Sequence, residues 1–332
     1  MGENRMSGLI SLLGRCATAC IVVSTLAAPA LSADPVKLRV STIPIIDSAP
    51  FEAARVQGYF TAENLQVDAT PVVGGAAGLP ALAAGQVQIA ASNTISIILG
   101  VKNNLPFKII AAGDTTLSTP PDFAGLVAKP GSGLKTGKDF EGKSIAVNTR
   151  NNIIWLYARE WVSATGGNPD KVNYVEVPFP QMIDAVTQGR VDGAFVVEPF
   201  FSSGIQPKSV ELVGWPYATV QKSIPIMQWA ASDAFVQANP DVIERFVRAY
   251  NKGTDWVNQN KGSPAWIELI SGYTRIPADK VKDIAVPAFV KVVEPAKLAE
   301  IAELMKKHKI LSSDDKVDLV KILHKSVLSG AK

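Results

Sequence analysis

Cysteine and histidine are the scarcest chemically reactive residues in this chain, with two of each among 332 residues. Cys16 and Cys20 lie near the N-terminus, and His308 and His324 lie near the C-terminus. A serine–histidine hydrolase needs a histidine beside its nucleophile, and a zinc site needs several histidine, cysteine or carboxylate ligands at suitable spacing. The sequence therefore gives little support to either kind of active site, and we expect no metal and no cofactor.

A strong charge of either sign is also missing. The chain has 33 Lys and Arg against 30 Asp and Glu, a formal net charge of +3. The basic residues are scattered and do not form runs of the kind that bind nucleic acid, so we expect no nucleic-acid partner. With 47% hydrophobic residues, the composition is typical of a globular protein, and the length allows two domains.

The N-terminal region predicts an export signal. Arg5 and Arg15 precede the uncharged run Cys16–Ala28, which is about as long as a signal-peptide core and too short to span a membrane comfortably. Residues 1–33 are therefore interpreted as a cleavable signal peptide of a soluble, exported protein.

The cleavage point is set by small residues. Cleavage after Ala33 is preferred, and Ala30 is the alternative. Either would remove both cysteines, so no disulfide framework is expected. The tetrapeptide A-T-A-C ending at Cys20 weakly matches a lipoprotein cleavage site, and a lipid anchor at Cys20 stays open.

A short pattern occurs twice in the remaining chain. In Ala81–Asn93 and again in Ala185–Val197, a helical stretch stops at a glycine, a polar residue and a valine follow, and a short apolar strand begins. Each strand runs into polar residues, Ser92–Thr94 in the first copy and Glu198 in the second. In open α/β sheets, ligands bind beyond the carboxyl ends of strands, so the repeat predicts a cleft between two similar halves.

The order of strands and helices supports this interpretation. Both halves alternate strand, loop and helix, which favours a largely parallel sheet in each. Pro225–Ser232 is predicted to be a strand that returns to the first half, and helices are predicted over Val242–Asn258, Leu298–His308 and Lys316–Leu328. This terminal helical block is expected to pack outside the first half.

Candidate ligand contacts are the residues at the predicted strand ends. Asn148–Asn152 lies between a strand and a helix, where free backbone N–H groups and a positive helix end would face the cleft, and Arg150 would add donors for a planar anion. The candidates are Asp47, Ser48, Gly75, Ala76, Ser92, Asn93, Thr94, Asn148, Thr149, Arg150, Asn151, Phe179, Glu198 and Trp229.

Purely structural roles stay open as alternatives for several of these residues. Thr149 or Asn151 can cap the following helix while Arg150 points to water, and Ser92–Thr94 can also cap a helix. Glu198 can receive backbone N–H groups from a neighbouring loop instead of a ligand. Trp229 can lie in the core rather than form a wall of the cleft.

Four stretches in order resemble a known family. They are Leu79–Asn93, Gly133–Val147 with D-F-E-G-K-S-I-A-V, Gly189–Phe200 with G-R-V-D-G-A-F-V-V-E-P-F, and Phe235–Tyr250. Together they resemble the periplasmic substrate-binding proteins of ABC importers for nitrate, sulfonates, taurine and thiamine-pyrimidine precursors. The sequence departs from the family pattern at Gln88, where an acidic residue is common, and at Asn93–Thr94.

The resemblance implies a two-lobed α/β fold of the type II periplasmic binding class, with mostly parallel sheets flanked by helices. Two crossing strands, expected near Ala128–Gly133 and Ser223–Met227, would act as hinges. Lobe 1 would comprise residues 34–128 and 228–332, and lobe 2 residues 129–227.

The implied function is capture of a small anionic solute (a sulfonate, carboxylate, nitrate-like ion or pyrimidine precursor) by hinge closure and its delivery to a membrane permease. The protein would be a monomer and not an enzyme. The alternative is a secreted hydrolase or lyase that uses the carboxylates of Glu198 and Asp192.

Overall fold

Two five-stranded sheets organise residues 34–328, the part of the chain that the computed structural model describes. The expected signal peptide, its two cleavage points and Cys20 lie outside these residues. In chain order, the strands are β1 (Val36–Thr42), β2 (Leu65–Pro71), β3 (Ile89–Asn93), β4 (Phe107–Ala112), β5 (Asp114–Thr115), β6 (Ala124–Ala128), β7 (Ser144–Val147), β8 (Asn173–Glu176), β9 (Gly193–Val197), β10 (Glu211–Gly214), β11 (Met227–Ser232) and β12 (Ala288–Phe289).

Helices cover these sheets. In chain order, they are α1 (Ala49–Val56), α2 (Tyr59–Ala62), α3 (Gly75–Ala83), α4 (Thr94–Lys102), α5 (Ile153–Ala164), α6 (Phe179–Thr187), α7 (Phe200–Ile205), α8 (Pro216–Val220), α9 (Asp233–Ala238), α10 (Pro240–Asn260), α11 (Pro264–Thr274), α12 (Ala278–Val281), α13 (Pro295–Lys307) and α14 (Leu319–Ile322). None of those within residues 34–328 is long and apolar enough to cross a bilayer.

The two large sheets have the same plan. The first has the order β2-β1-β3-β11-β4, and the second has the order β10-β6-β9-β7-β8. In each, one strand runs against its neighbours: β11 is antiparallel to β3 and β4, and β6 is antiparallel to β9 and β10. The expectation of largely parallel sheets is therefore confirmed, with one opposed strand in each.

The repeated sequence pattern folds the same way in both sheets. Gly85 and Gly189 end α3 and α6 with φ values of 69° and 72°, a left-handed conformation that glycine adopts at little cost. Three residues later, the Gln88 side chain accepts the N–H of Arg39 at 2.9 Å, and Asp192 accepts that of Ser144 at 2.8 Å. Each side chain thus ties the repeat to the parallel strand next to its own, β1 beside β3 and β7 beside β9, so Gln88 does with an amide what Asp192 does with a carboxylate.

The chain passes between the sheets twice, and the two passing segments pair with each other. The N–H of Thr116 donates to Ile224 O at 3.0 Å, and the N–H of Ile226 donates to Asp114 O at 3.0 Å. The second passage lies where the sequence predicted it, just before β11. The first passage lies before β6 and not near Ala128–Gly133, because β6 pairs with β9 and so belongs to the second sheet.

The C-terminal block packs on the first sheet. Helix α10 lies against α1, and α13 lies against α4. The helix expected over Lys316–Leu328 is replaced by the short α14 and a turn, since Leu323 bridges to Ile109 and the N–H of His324 donates to Ile109 O at the edge of β4. Backbone pairing with an open sheet edge has overridden the helical pattern there.

Candidate functional site

A small cavity lies between the two sheets, beyond the carboxyl ends of their parallel strands. Asp47, Gly75 and Asn93 line it from the first sheet, and Asn148 and Asn152 line it from the second. Its volume is about 30 Å³, which is room for roughly one water molecule. This space by itself is too small for an organic molecule.

An apolar groove adjoins the cavity and shares Ile43, Ile45 and Phe179 with it. Its volume is about 360 Å³, within the range of small-molecule sites. Pro44 and Val72 line it from the first sheet, and residues of the Pro178–Gln181 segment line it from the second. Together the two spaces offer a polar inner end and an apolar outer end.

Two helices begin at the cavity. The Asn93 side chain accepts the N–H of Ser96 at 3.0 Å at the start of α4, and the Asn152 side chain accepts the N–H of Trp155 at 3.0 Å at the start of α5. Other amides of each first turn have no partner within their helix. The positive ends of both helix dipoles therefore face the space between the sheets.

Replacement of Asn152 by alanine should destabilise the protein by about 1 kcal/mol, because it removes the cap of α5. It also removes the 2.7 Å hydrogen bond from the Asn152 amide to Asn148 Oδ1. Urea unfolding of Asn152→Ala and Asn152→Ser measures the effect, since serine can cap the helix but cannot reach Asn148 in the same way. Equal stability of wild type and Asn152→Ala would contradict this role.

Five of the residues predicted from sequence line the cavity: Asp47, Gly75, Asn93, Asn148 and Phe179. They come from both sheets and from separate positions in the chain. The structure therefore brings together residues that the sequence placed at unconnected strand ends, three of them with polar side chains.

Four other candidates lie beside the cavity and hold its walls. The hydroxyl of Ser48 donates to Ile43 O at 2.6 Å, that of Ser92 to Gly75 O at 2.8 Å, and that of Thr94 to Pro225 O at 2.6 Å. Ala76 is half-buried in α3. The three hydroxyl groups hold in place the segments that carry Asp47 and Gly75 and the second passage between the sheets.

Arg150, the charged residue of the loop before α5, makes its hydrogen bonds away from the cavity. Arg150 is exposed; its guanidinium donates to Tyr174 O and its N–H donates to Glu176 at 2.6 Å. Asn151 is exposed with φ 54°, and Thr149 is half-buried at the edge of the cleft. Neither Arg150 nor Asn151 is among the residues that line the cavity.

Glu198 joins the two halves rather than lining the cavity. Its carboxylate accepts hydrogen bonds from the N–H and hydroxyl of Ser202 at 3.0 and 2.7 Å and from the N–H of Ala285 at 3.4 Å. Its backbone oxygen accepts the N–H of Ile46 at 3.0 Å. Burial raises the pKa of Glu198 to about 7.

The same geometry argues against a hydrolase. Asp192 precedes β9 and Glu198 follows it, so the two carboxylates lie at opposite ends of a five-residue strand. At roughly 3.3 Å per residue they are about 20 Å apart along the strand, beyond the separation of paired catalytic carboxylates.

Trp229 lies in the core and not in the wall of the cleft. Its ring stacks on Phe51 with a centroid distance of 4.6 Å, and it is fully buried. Because β11 is antiparallel to β3, its first residue, Met227, is level with Asn93 at the cavity, and Trp229 lies two residues deeper, level with Ala91. Met227 lines the cavity in its place.

Gly74 is the point of closest approach inside the cleft. A Cβ added there would lie 2.6 Å from Asn148 Nδ2 and 3.3 Å from Thr149 Oγ1, both on the side of the second sheet. Only a residue without a side chain lets the two halves meet at this distance.

Further contacts join the halves outside the cleft. At the end of α13, Lys307 and His308 contact the carboxylate of Glu160 on α5 at 2.7 and 2.6 Å. Gln221 donates to Glu300 at 2.6 Å. With Glu198 and Gly74, these contacts hold the two halves against each other around the cavity.

Tyr217, Ile226 and Met227 also line the cavity and are not among the residues predicted from sequence. Asn152, the last residue of the predicted contact region, lines it as well. Tyr217 follows β10 and reaches the cavity through α8, and no repeated motif marks it. The segment Ile226–Met227 was visible as the start of a predicted crossing strand, which was the available signal.

A family model described as "NMT1/THI5 like" matches residues 45–262, more than half of the chain. The chain belongs to this NMT1/THI5-like family. Its α/β fold with mixed sheets is the fold of the periplasmic substrate-binding proteins of ABC importers, as the sequence resemblance indicated.

Two curated relatives of this family member are binding proteins. The nitrate/nitrite binding protein NrtA from Nostoc sp. is 21% identical over 74% of this chain and 59% of its own length. The riboflavin-binding protein RibY from Chloroflexus aurantiacus is 28% identical over 68% of this chain and 64% of its own length. The chain thus spans about three fifths of the length of these relatives.

Among solved structures, the alkanesulfonate-binding protein SsuA from Xanthomonas axonopodis pv. citri, bound to MOPS, aligns with a TM-score of 0.74. The identity is 14%, and the alignment covers 88% of this chain and 99% of that one. At this level of identity, the alignment shows that the two proteins share a fold.

Proposed function

We propose that this chain is the periplasmic substrate-binding component of an ABC importer. It captures a small solute between two lobes and delivers it to a membrane permease. The observation that carries the proposal is the cavity at the facing strand ends, which both sheets line and which contacts between the halves enclose. Such a site binds by fit and needs no reacting group.

The two lobes of this proposal are built on the two sheets. One contains residues 34–112 and 227–328, and the other contains residues 124–214. The paired segments between them are the hinges, since few backbone dihedrals there need to change for the sheets to separate. The protein acts as a monomer.

The shape of the site indicates how a solute lies in it. A polar head fits the inner end among Asn93, Asn148 and Asn152, and an apolar or aromatic body fits the groove beside Phe179. An anionic group on the solute is best placed at the starts of α4 and α5, where backbone N–H groups stabilise negative charge. Arg150 takes no part in this, because it lies outside the cavity lining.

Solute-induced closure tests the proposal. The chain from residue 34 onward is titrated calorimetrically with sulfonates, carboxylates, nitrate, pyrimidines, amines and amidines, and small-angle scattering is recorded with each. At least one solute should bind with one site per monomer and lower the radius of gyration. If no solute in the panel binds or changes the scattering, the proposal is wrong.

A further inference from the structure

Three buried aspartates meet at the hinge. Asp47 follows β1, Asp114 lies in β5 within the first passage between the sheets, and Asp122 lies just before β6. Their exposed fractions are 1%, 0% and 0%. The loop after β1 and the first passage between the sheets therefore bring these carboxyl groups close enough to interact, and Asp47 is the one of the three that lines the cavity.

These carboxyl groups are incompletely satisfied. One oxygen of Asp114 accepts the N–H of Met227 at 3.0 Å, and one oxygen of Asp122 accepts the N–H of Phe123 at 2.9 Å. The side chains of Asp47 and Asp114 hydrogen-bond to each other, which needs a proton on one of them, and Asp122 Oδ2 is buried without a hydrogen-bond partner among the described residues. A buried polar atom without a partner is costly, so it needs a proton or a ligand group.

No cation of the protein supplies that partner within the cavity. The described residues that line it include no lysine, arginine or histidine. The ionisable groups whose charges act on Asp47 or respond to it are themselves acids: Asp114, Asp122, Tyr217, Tyr250 and Tyr273. Among residues 34–328, no group of acidic, histidine or cysteine side chains is placed to hold a metal ion.

Two of the buried acidic residues border the cavity itself. Asp47 lines it, and so does Tyr217, whose hydroxyl is buried without a partner among the described residues. The cavity lining thus includes one carboxylic acid and one phenol, and the charge of Asp47 acts on Tyr217. This combination accepts hydrogen bonds from a cationic or strongly donating group.

We propose that the solute presents a protonated nitrogen, as an amine, an amidine or a protonated aminoheterocycle, to Asp47 and Tyr217, with Asp114 and Asp122 behind them. This inference rests on the proposed binding function and narrows the class of solute. A negative group, where the solute has one, lies at the opposite side of the cavity beside the first turns of α4 and α5.

Proton uptake provides the second consequence. Burial raises the pKa of Asp47 to about 7 and that of Asp122 to about 6, and burial with the charge of Asp47 raises the pKa of Asp114 well above its usual range. The cluster without a solute therefore holds protons near neutral pH. A cation that binds ionised Asp47 displaces such a proton to the solvent, so its affinity should rise with pH through this range.

The test compares solutes that differ in one group: benzylamine with benzyl alcohol, and benzamidine with benzamide. In wild type, the nitrogen cation of at least one pair should bind at least about thirtyfold more tightly than its neutral partner. Asp47→Asn should remove that preference, and the exposed Asp68→Asn should keep it. Calorimetry in buffers of different ionisation enthalpy should show proton release in wild type but not in Asp47→Asn.

Two results overturn the inference while leaving the proposed function intact. One is closure by an anionic or neutral solute with no nitrogen cation that binds. The other is a preferred nitrogen cation whose affinity Asp47→Asn leaves unchanged. Absence of closure with every solute would instead overturn the proposed function itself.

Discussion

Replacement of Gly74 by alanine should weaken solute binding by about tenfold without unfolding the protein. The new methyl group would lie 2.6 Å from Asn148 Nδ2, an amide that cannot swing away freely because Asn148 is buried and its oxygen accepts a hydrogen bond from Asn152. The clash exists only when the halves meet, so the substitution raises the free energy of the closed form and leaves the open form unaffected.

Titration of the tightest-binding solute, with scattering at saturation, measures this effect. Gly272→Ala is the matched control, because a Cβ at Gly272 in α11 meets nothing within 4 Å. Gly75→Ala is expected to behave differently, since its Cβ would lie 2.6 Å from the backbone nitrogen of Asn93 in the same half, and it should lower stability in the open form as well. Wild-type affinity and full closure in Gly74→Ala would refute the contact.

The free energy of unfolding of the solute-free protein should fall as pH rises from about 5 to about 8. Burial raises the pKa of Glu198 from 4.5 to about 7, so the folded state binds a proton that the unfolded chain has released in this range. A raised pKa contributes stability that is complete below the unfolded value and is lost as pH rises through the folded value. Glu198 alone accounts for a loss on the order of 3 kcal/mol, and Asp47 and Asp122 act in the same direction.

Urea unfolding at constant ionic strength across this pH range tests the sign. Glu198→Gln should flatten the dependence, because glutamine keeps an acceptor for Ser202 and carries no proton to lose. The exposed Glu268→Gln should retain the wild-type slope. A stability that increases toward about pH 8, or an unchanged slope in Glu198→Gln, would contradict the assignment.

The duplicated architecture could be predicted from sequence because its signals are local. A glycine that ends a helix, and a polar side chain three residues later that ties the turn to a neighbouring strand, recur at Gly85 with Gln88 and at Gly189 with Asp192. The position of Asn148 after a strand and before a helix likewise follows from short-range pattern. Such features depend on residues close together in the sequence, so they can be recognised without knowledge of the tertiary structure.

The buried acid cluster could not be predicted, because its members come from segments that meet only through the passages between the sheets. Asp114 and Asp122 follow no motif, and the sequence placed the β6 segment in the first lobe, whereas β6 pairs with β9 of the second sheet. The position of Trp229 depended on the direction of β11 and on how far along that strand the residue lies. The direction of a strand within its sheet and the position of a residue along that strand depend on tertiary structure, which a local sequence pattern does not determine.

The contacts between Glu160 and the end of α13 involve none of the residues that line the cavity. The strength of these contacts affects the equilibrium between the proposed open and closed conformations. When the conformation that binds is less populated, the apparent affinity for every solute falls by the same factor. If the proposed function holds, substitutions at Lys307 or Gln221 change the affinity for every solute by the same factor and leave the preference among solutes unchanged. Two properties could then evolve separately: the contacts outside the cavity would set the overall affinity, and Asp47 would set which solute is preferred.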